Sequence, residues 1–237
     1  GTPAIVDKKI RAHAALLCGV DLVIELPLFA AASSAPDFAM GAVTLLDKLG
    51  VVDYLSFGSE CQEINRLKAI ASFLIKYENE IESGIKDLMS LGHSYPKAKE
   101  LYLTTHLKDA SMIQILKQPN NILGIEYLKA LIRLNSSITP VCVERIANDH
   151  HSTDLTPSIS SATSIRSTLE QNLIEPLFSR VPDSLHDLYK HHYQHDFPVC
   201  SDDFSLLLQT SIHSTDDLTK IVGISKDFSD RLMKKLR

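Results

Sequence analysis

The sequence is poor in the features that would place it in a membrane, a secreted scaffold or a zinc ribbon. No apolar run approaches the roughly 18 residues that a membrane-spanning helix needs, and the opening GTPAIVDKKIRAH lacks the layout of a secretory signal. Cysteine is scarce. Cys18, Cys61, Cys142 and Cys200 are widely spread and form no CxxC, which argues against a zinc ribbon or a disulfide framework and fits a reducing cytoplasm. Positive charge is also short: 24 basic residues face 29 acidic ones, a net charge of -5, which excludes a globally basic nucleic-acid binder. A local basic face stays open, because steering depends on where charges sit rather than on their sum. The ten histidines do cluster, as DHH at 149–151 and HHYQH at 191–195. Adjacent side chains diverge, so surface or structural roles are expected there and no metal site is assigned. There is no internal repeat and no low-complexity tract.

With 44% hydrophobic residues in 237, the chain can bury one large core or two modest ones. VDKKIRAHAALLCG carries helical spacing and stops at Gly19. VDLVIELP, residues 20–27, reads as a buried strand closed by Pro27. PDFAMGAVTLLDKLG has the Pro-initiated, Gly-terminated form of a helix, and VVDYLSFG, residues 51–58, reads as a second buried strand running into GSE. Alternation of helix and strand with short connections predicts an α/β fold with a parallel sheet. The middle is helical: INRLKAIASFLIKYENEIESGIKDLMSLG, with a break expected near Ser83–Gly84, then SYPKAKELYLTTHL and PNNILGIEYLKALIRL. SITPVCVERI returns as a strand, followed by a polar loop, ANDHHSTDLTPSIS. From about Pro182 the chain is mainly helical and ends on a basic stretch. The expected division is an α/β domain at 1–175 and a helical C-terminal region at 176–237.

Ligands of open α/β sheets sit beyond the carboxyl ends of the strands, and three features fall there. Gly58 in FGSE lets a ligand approach the backbone closely, or simply makes a strand-to-helix turn. Arg145 suits a phosphate or a base, or else pairs with Glu144 or Asp149. The run SISSATSIRSTLEQN, residues 158–172, is either a generously capped helix start or an anion cradle. In the second reading, unpaired N–H groups and short hydroxyls face the anion, with Arg166 one turn inside. By residue type, Asn120 in PNNILG suits the cap of the helix that starts beside Pro119.

SISSATSIR resembles the ISSTxIR signature of the nucleotidyltransferase superfamily that also carries an N-terminal HxGH motif. GVDLVIELP, FGSE, SYP, PNNILGIEYLKAL and SATSIR occur in the order seen in the bacterial tRNA(Met) cytidine acetate ligase family, and the likeness runs through essentially the whole chain. The resemblance implies a Rossmann-like nucleotidyltransferase sheet with helical insertions. It also implies a cytoplasmic enzyme that joins ATP and acetate into acetyl-adenylate, releases pyrophosphate and acetylates N4 of the wobble cytidine of elongator tRNA(Met). The family's ATP contacts would fall on Gly58, Asn120 and Arg145, and its phosphate-facing motif on Ser161, Thr163, Ser164 and Arg166, with Ser164 and Arg166 closest to the chemistry. Lys8 and Arg11 are weaker candidates for phosphate or RNA. Mg2+ is the normal companion of ATP phosphates. Neither DNA nor a membrane is an expected partner.

No HxGH occurs in these 237 residues. The resemblance therefore implies a stretch that lacks the first β–α unit and part of the C-terminal region, with a weakened ATP site and no useful adenylation on its own. SATSIR alone also fits a small-molecule nucleotidyltransferase, from which PNNILGIEYLKAL and the extra helices distinguish it. A non-catalytic RNA-binding module on the same scaffold is the third reading. For RNA, the candidate contacts are Lys97, Lys99, Lys108, Lys117, Arg231, Lys234, Lys235 and Arg237, against the ordinary alternative of a solvated face.

Overall fold

The computed structural model describes residues 4–107, 109–145, 162–171, 173–221 and 223–236. Helix α1 spans Lys8–Leu17, α2 Leu28–Ala31 and α3 Ala35–Leu49, followed by strand β1 at Tyr54–Ser59. Then come α4 (Ile64–Lys76), α5 (Glu78–Ser90), α6 (Tyr95–His106), α7 (Ala110–Ile115), α8 (Pro119–Arg133) and strand β2 (Thr139–Glu144). The remaining helices are α9 (Ala162–Glu170), α10 (Glu175–Phe178), α11 (His186–His192), α12 (Ser205–His213) and α13 (Lys226–Leu236). Among the described residues, no helix is long and apolar enough to cross a membrane.

The chain divides into two compact units, Ile24–Ala147 and the combination of Gly1–Val23 with Asn148–Arg237. In the first, β1 and β2 pair in parallel, with Tyr54 opposite Thr139, Phe57 opposite Cys142 and Ser59 opposite Glu144. A parallel pair needs a long crossover, and α4 to α8 supply it. One face of the sheet carries Phe57 into a core with Val43, Leu67, Ile70, Ile125 and Leu128. Burying each of the larger side chains contributes about 1.5–3 kcal/mol. The other face bears Tyr54, Ser56 and Gly58 beside Thr139, Val141 and Val143, all exposed.

Local sequence explains the α3 boundaries. Ser34 Oγ donates to Asp37 Oδ2 at 2.8 Å, Pro36 stands in the first turn, and Gly50 ends the helix at φ 68°. Gly84 behaves differently from expectation. The helix break falls at Tyr77, between α4 and α5, while Gly84 lies inside α5 against the Tyr102 ring of α6. This glycine marks a close helix approach rather than a stop, which sequence alone does not separate.

The strand expected at 20–27 is not formed. Residues 20–27 carry no strand assignment, and Val20, Leu22, Val23 and Ile24 are 40–67% exposed. A short apolar run fits a strand only where another strand pairs with it. Among the described residues, the sheet contains β1 and β2 alone.

In the second unit, Val6, Ile10 and Ala14 from α1 and its lead-in share a core with Leu169, Leu177, Leu185, Leu188 and Phe197. Val199 N donates to Ile5 O at 2.8 Å, tying the two ends of this unit together. The helical character expected after Pro182 is present in α11, α12 and α13.

Candidate active site

The carboxyl end of the sheet is built around α8. Gly124 lets this helix lie on β1: a Cβ at that position would stand 2.6 Å from Phe57 Cε2. Asn121, fully buried, bolts the pieces together. Its Oδ1 accepts from Ser59 Oγ (2.7 Å) and Cys61 N (3.0 Å), while Nδ2 donates to Gln118 Oε1 (2.6 Å) and Ile115 O (3.3 Å). Its Oδ1 holds the end of β1 to the start of α8, and its Nδ2 ties in Gln118 and the end of α7. A buried amide satisfied in this way is costly to replace, because each partner would be left dry and unpaired.

Asn120, one residue earlier, turns to the other side. It is the second residue of α8, so it is not the helix cap; Gln118 occupies that position. Asn120 Nδ2 donates to Glu60 Oε1 at 2.6 Å, and its Oδ1 accepts from Arg145 NH1 at 3.0 Å. An ionised carboxylate only accepts and a guanidinium only donates, so the chemistry itself fixes which way the amide points. Glu60 also receives Asn120 N (3.3 Å) and Asn121 N (2.9 Å). Burial pushes the Glu60 carboxyl up, but these hydrogen bonds outweigh it and hold the group below its ordinary value.

Arg145 lies one residue past β2, and its backbone N–H continues the ladder to Ser59 O at 2.9 Å. Its guanidinium is exposed and is held by Asn120; among the described residues no ion pair with Glu144 forms. Gly58 lies inside β1 rather than in a turn, exposed on the open sheet face opposite Val143. A Cβ there would meet nothing within 4 Å, so the glycine leaves bare backbone that a flat ligand can approach. Gly58, Asn120 and Arg145 thus belong to one unit and one end of the sheet.

The phosphate-motif candidates belong to the other unit. Ser161 lies outside the described residues, as does the side chain of Thr163, whose backbone is part of α9. Ser164 is buried at 1% exposure, and its carbonyl accepts from Thr168 Oγ1 at 2.9 Å. Arg166 is half-buried, and its Nε is buried with no hydrogen-bond partner among the described residues. A buried guanidinium N–H without an acceptor costs about 1–3 kcal/mol, so this position suits an incoming anion. Lys8 opens α1 on the exposed surface, and Arg11 Nε donates to Val6 O at 3.0 Å.

The chain matches the HIGH nucleotidyl transferase sequence profile over residues 1–237. The chain belongs to the HIGH nucleotidyl transferase family. Among the proteins similar to this chain are proteins named tRNA(Met) cytidine acetate ligase. That of Caldanaerobacter subterraneus subsp. tengcongensis is 40% identical over 99% of this chain, and that of Alkaliphilus metalliredigens is 38% identical over the same share. The chain spans 59% and 58% of the length of these relatives. Among solved structures, the apo form of Thermotoga maritima TmcAL matches with a TM-score of 0.91 and 28% identity, over 100% of this chain and 57% of that one. A second form, described as bound with alpha-thio ATP, matches with a TM-score of 0.85 and 29% identity, over 97% of this chain and 55% of that one. The nucleotidyltransferase fold expected from the motif order is thereby established.

Sequence reasoning missed Glu60, Asn121 and Gly124. Glu60 stood in the FGSE motif unassigned. A glycine inside a strongly periodic helix and a double asparagine just after a helix-starting proline were the available signals. Among the RNA candidates, Lys97 and Lys117 both pair with Glu100, at 3.0 and 3.8 Å, and Arg231 pairs with Asp227 at 2.7 Å. Burial lowers the pKa of Lys99, against the opposing pull of Glu126. Lys108 and Arg237 lie outside the described residues, as do His150 and His151 of the first histidine cluster. In the second cluster His192 Nδ1 is 2.6 Å from Asp196 Oδ2. Among the described residues no group of three His, Cys, Asp or Glu is placed to hold a metal ion.

Proposed function

We propose that this chain carries the ATP-binding part of a cytoplasmic ligase that activates acetate as acetyl-adenylate and acetylates N4 of the wobble cytidine of elongator tRNA(Met). The observation that carries the proposal is the Glu60–Asn120–Arg145 chain of hydrogen bonds at the carboxyl end of a parallel sheet. It occurs in a sequence 40% identical to a protein named tRNA(Met) cytidine acetate ligase. The solved neighbour bound with alpha-thio ATP supports a nucleotide ligand of the same kind.

The chemistry suits these residues. An acetate oxygen attacks the α-phosphorus of ATP, the bond to the β-phosphate oxygen breaks, and pyrophosphate leaves. No protein nucleophile is needed; positioning and charge neutralisation are. Arg145, held by Asn120, serves the nucleotide, and bare backbone at Gly58 accommodates its flat base or ribose. Arg166, whose buried Nε has no acceptor among the described residues, serves the phosphates, and Ser161, Thr163 and Ser164 are assigned to the same phosphates. Lys8 and Arg11 are secondary candidates for phosphate or RNA. Mg2+ would travel with the ATP phosphates. In the second step the cytidine N4 attacks the acetyl carbonyl, AMP leaves, and N4 loses a proton. A single-stranded anticodon loop allows the base to be splayed out for this.

The test is acetate-dependent pyrophosphate release from ATP by the full-length protein, followed by mass spectrometry of elongator tRNA(Met). The expected outcome is pyrophosphate release that requires acetate, and N4-acetylcytidine at the wobble position. ATP turnover with a pantetheine or nicotinamide substrate instead would establish the small-molecule nucleotidyltransferase reading.

A further inference from the structure

The start of α8 has no local cap. Gln118 occupies the cap position without a side-chain hydrogen bond, and Pro119 brings no N–H. The acceptor comes from 60 residues away. One oxygen of Glu60 takes the backbone N–H and the side-chain Nδ2 of Asn120, and the other takes the backbone N–H of Asn121. Three donors converge on a carboxylate that offers only lone pairs, so the Asn120 amide is left with one orientation, Oδ1 toward Arg145. Glu60 itself forms no ion pair with Arg145 among the described residues, and the guanidinium keeps its full charge for a ligand.

We infer that Glu60 is a positioning residue for the nucleotide site: it caps α8 and fixes the Asn120 amide so that Asn120 holds the Arg145 guanidinium in its ATP-binding orientation. This rests on the reading of Asn120 and Arg145 as ATP contacts. Glu60 does not meet ATP; it acts through Asn120. In Glu60→Gln one acceptor becomes an NH2 donor facing N–H groups, so either the Asn120 amide turns over or the first turn of α8 shifts. In both cases Oδ1 leaves Arg145.

A double-mutant cycle in the full-length protein, read by calorimetric titration with ATP, tests this. Glu60→Gln should weaken ATP binding about ten-fold, the scale of one lost charge-assisted hydrogen bond. In an Asn120→Ala background the same substitution should change ATP affinity by less than about two-fold, because the link it acts through is already gone. Glu60→Gln binding ATP as tightly as the wild type overturns the inference. So does a loss that persists undiminished in the Asn120→Ala background, which would make Glu60 a helix cap and nothing more. Should circular dichroism show Glu60→Gln unfolded, Glu60→Asp takes its place in the cycle under the same criteria, keeping the charge but retracting both acceptors. Failure of the wild type to bind ATP would instead sink the ATP reading, and this inference with it.

Discussion

Replacing Asn121 by alanine should destabilise the Ile24–Ala147 unit more than any exposed substitution near the site. The side chain is fully buried and makes four hydrogen bonds. Ser59 Oγ would not be orphaned, since it also donates to Cys61 O at 2.7 Å. Cys61 N keeps a poorer contact to Ser59 Oγ at 3.1 Å, while Ile115 O and Gln118 Oε1 lose their donor. Three affected bonds at about 1 kcal/mol each, plus a small vacated volume, give a loss of about 3–4 kcal/mol. On the scale of a chain this size that lowers Tm by roughly 10 °C. The assay is thermal and urea unfolding of the full-length protein, followed by circular dichroism. A loss under about 1 kcal/mol would refute the claim that Asn121 bolts α8 to the end of β1.

The other substitutions separate binding from stability. Arg145→Ala should weaken ATP binding by about 10- to 100-fold in calorimetric titration, yet change unfolding free energy by less than about 0.5 kcal/mol, because the side chain is exposed. Arg166→Met keeps the apolar stem and removes a buried Nε that has no partner among the described residues. Its Tm should stay level or rise, while acetate-dependent pyrophosphate release falls by about 100-fold or more; a fall in both would make Arg166 structural. The hydrogen bonds on Glu60 lower its folded pKa, so the stability it contributes is fully present above the ordinary carboxylate value of 4.5 and disappears as pH falls through the lowered value. The Tm difference between wild type and Glu60→Gln should therefore be constant near neutrality and shrink as pH falls below 4.5.

Much of this was legible before the fold was known, and the exceptions have physical causes. The strand at β2 and the helix at α8 follow from period and from Pro at the helix start, and Arg145 was correctly placed at a strand end. The segment at 20–27 misled because a run of apolar, β-branched residues signals a buried strand only where another strand pairs with it. Here Val20, Leu22, Val23 and Ile24 are exposed and pair with no strand among the described residues. Gly84 and Gly124 both sit inside helices for the same reason, a neighbouring aromatic ring that leaves no room for a Cβ. No local pattern reports a contact with Tyr102 or Phe57. Glu60 escaped notice because its role depends on donors 60 and 61 residues away. The pair Asn120 and Asn121 looks redundant in sequence; the structure divides them, one joining Glu60 to Arg145 and one locked in the core.

The most direct test is radiolabelled acetate transfer by the full-length protein. With ATP, labelled acetate and elongator tRNA(Met), the account predicts pyrophosphate release together with label at N4 of the wobble cytidine, both lost in Arg166→Met. Label transfer undiminished in that variant, or ATP consumed with no label on the tRNA, would contradict it.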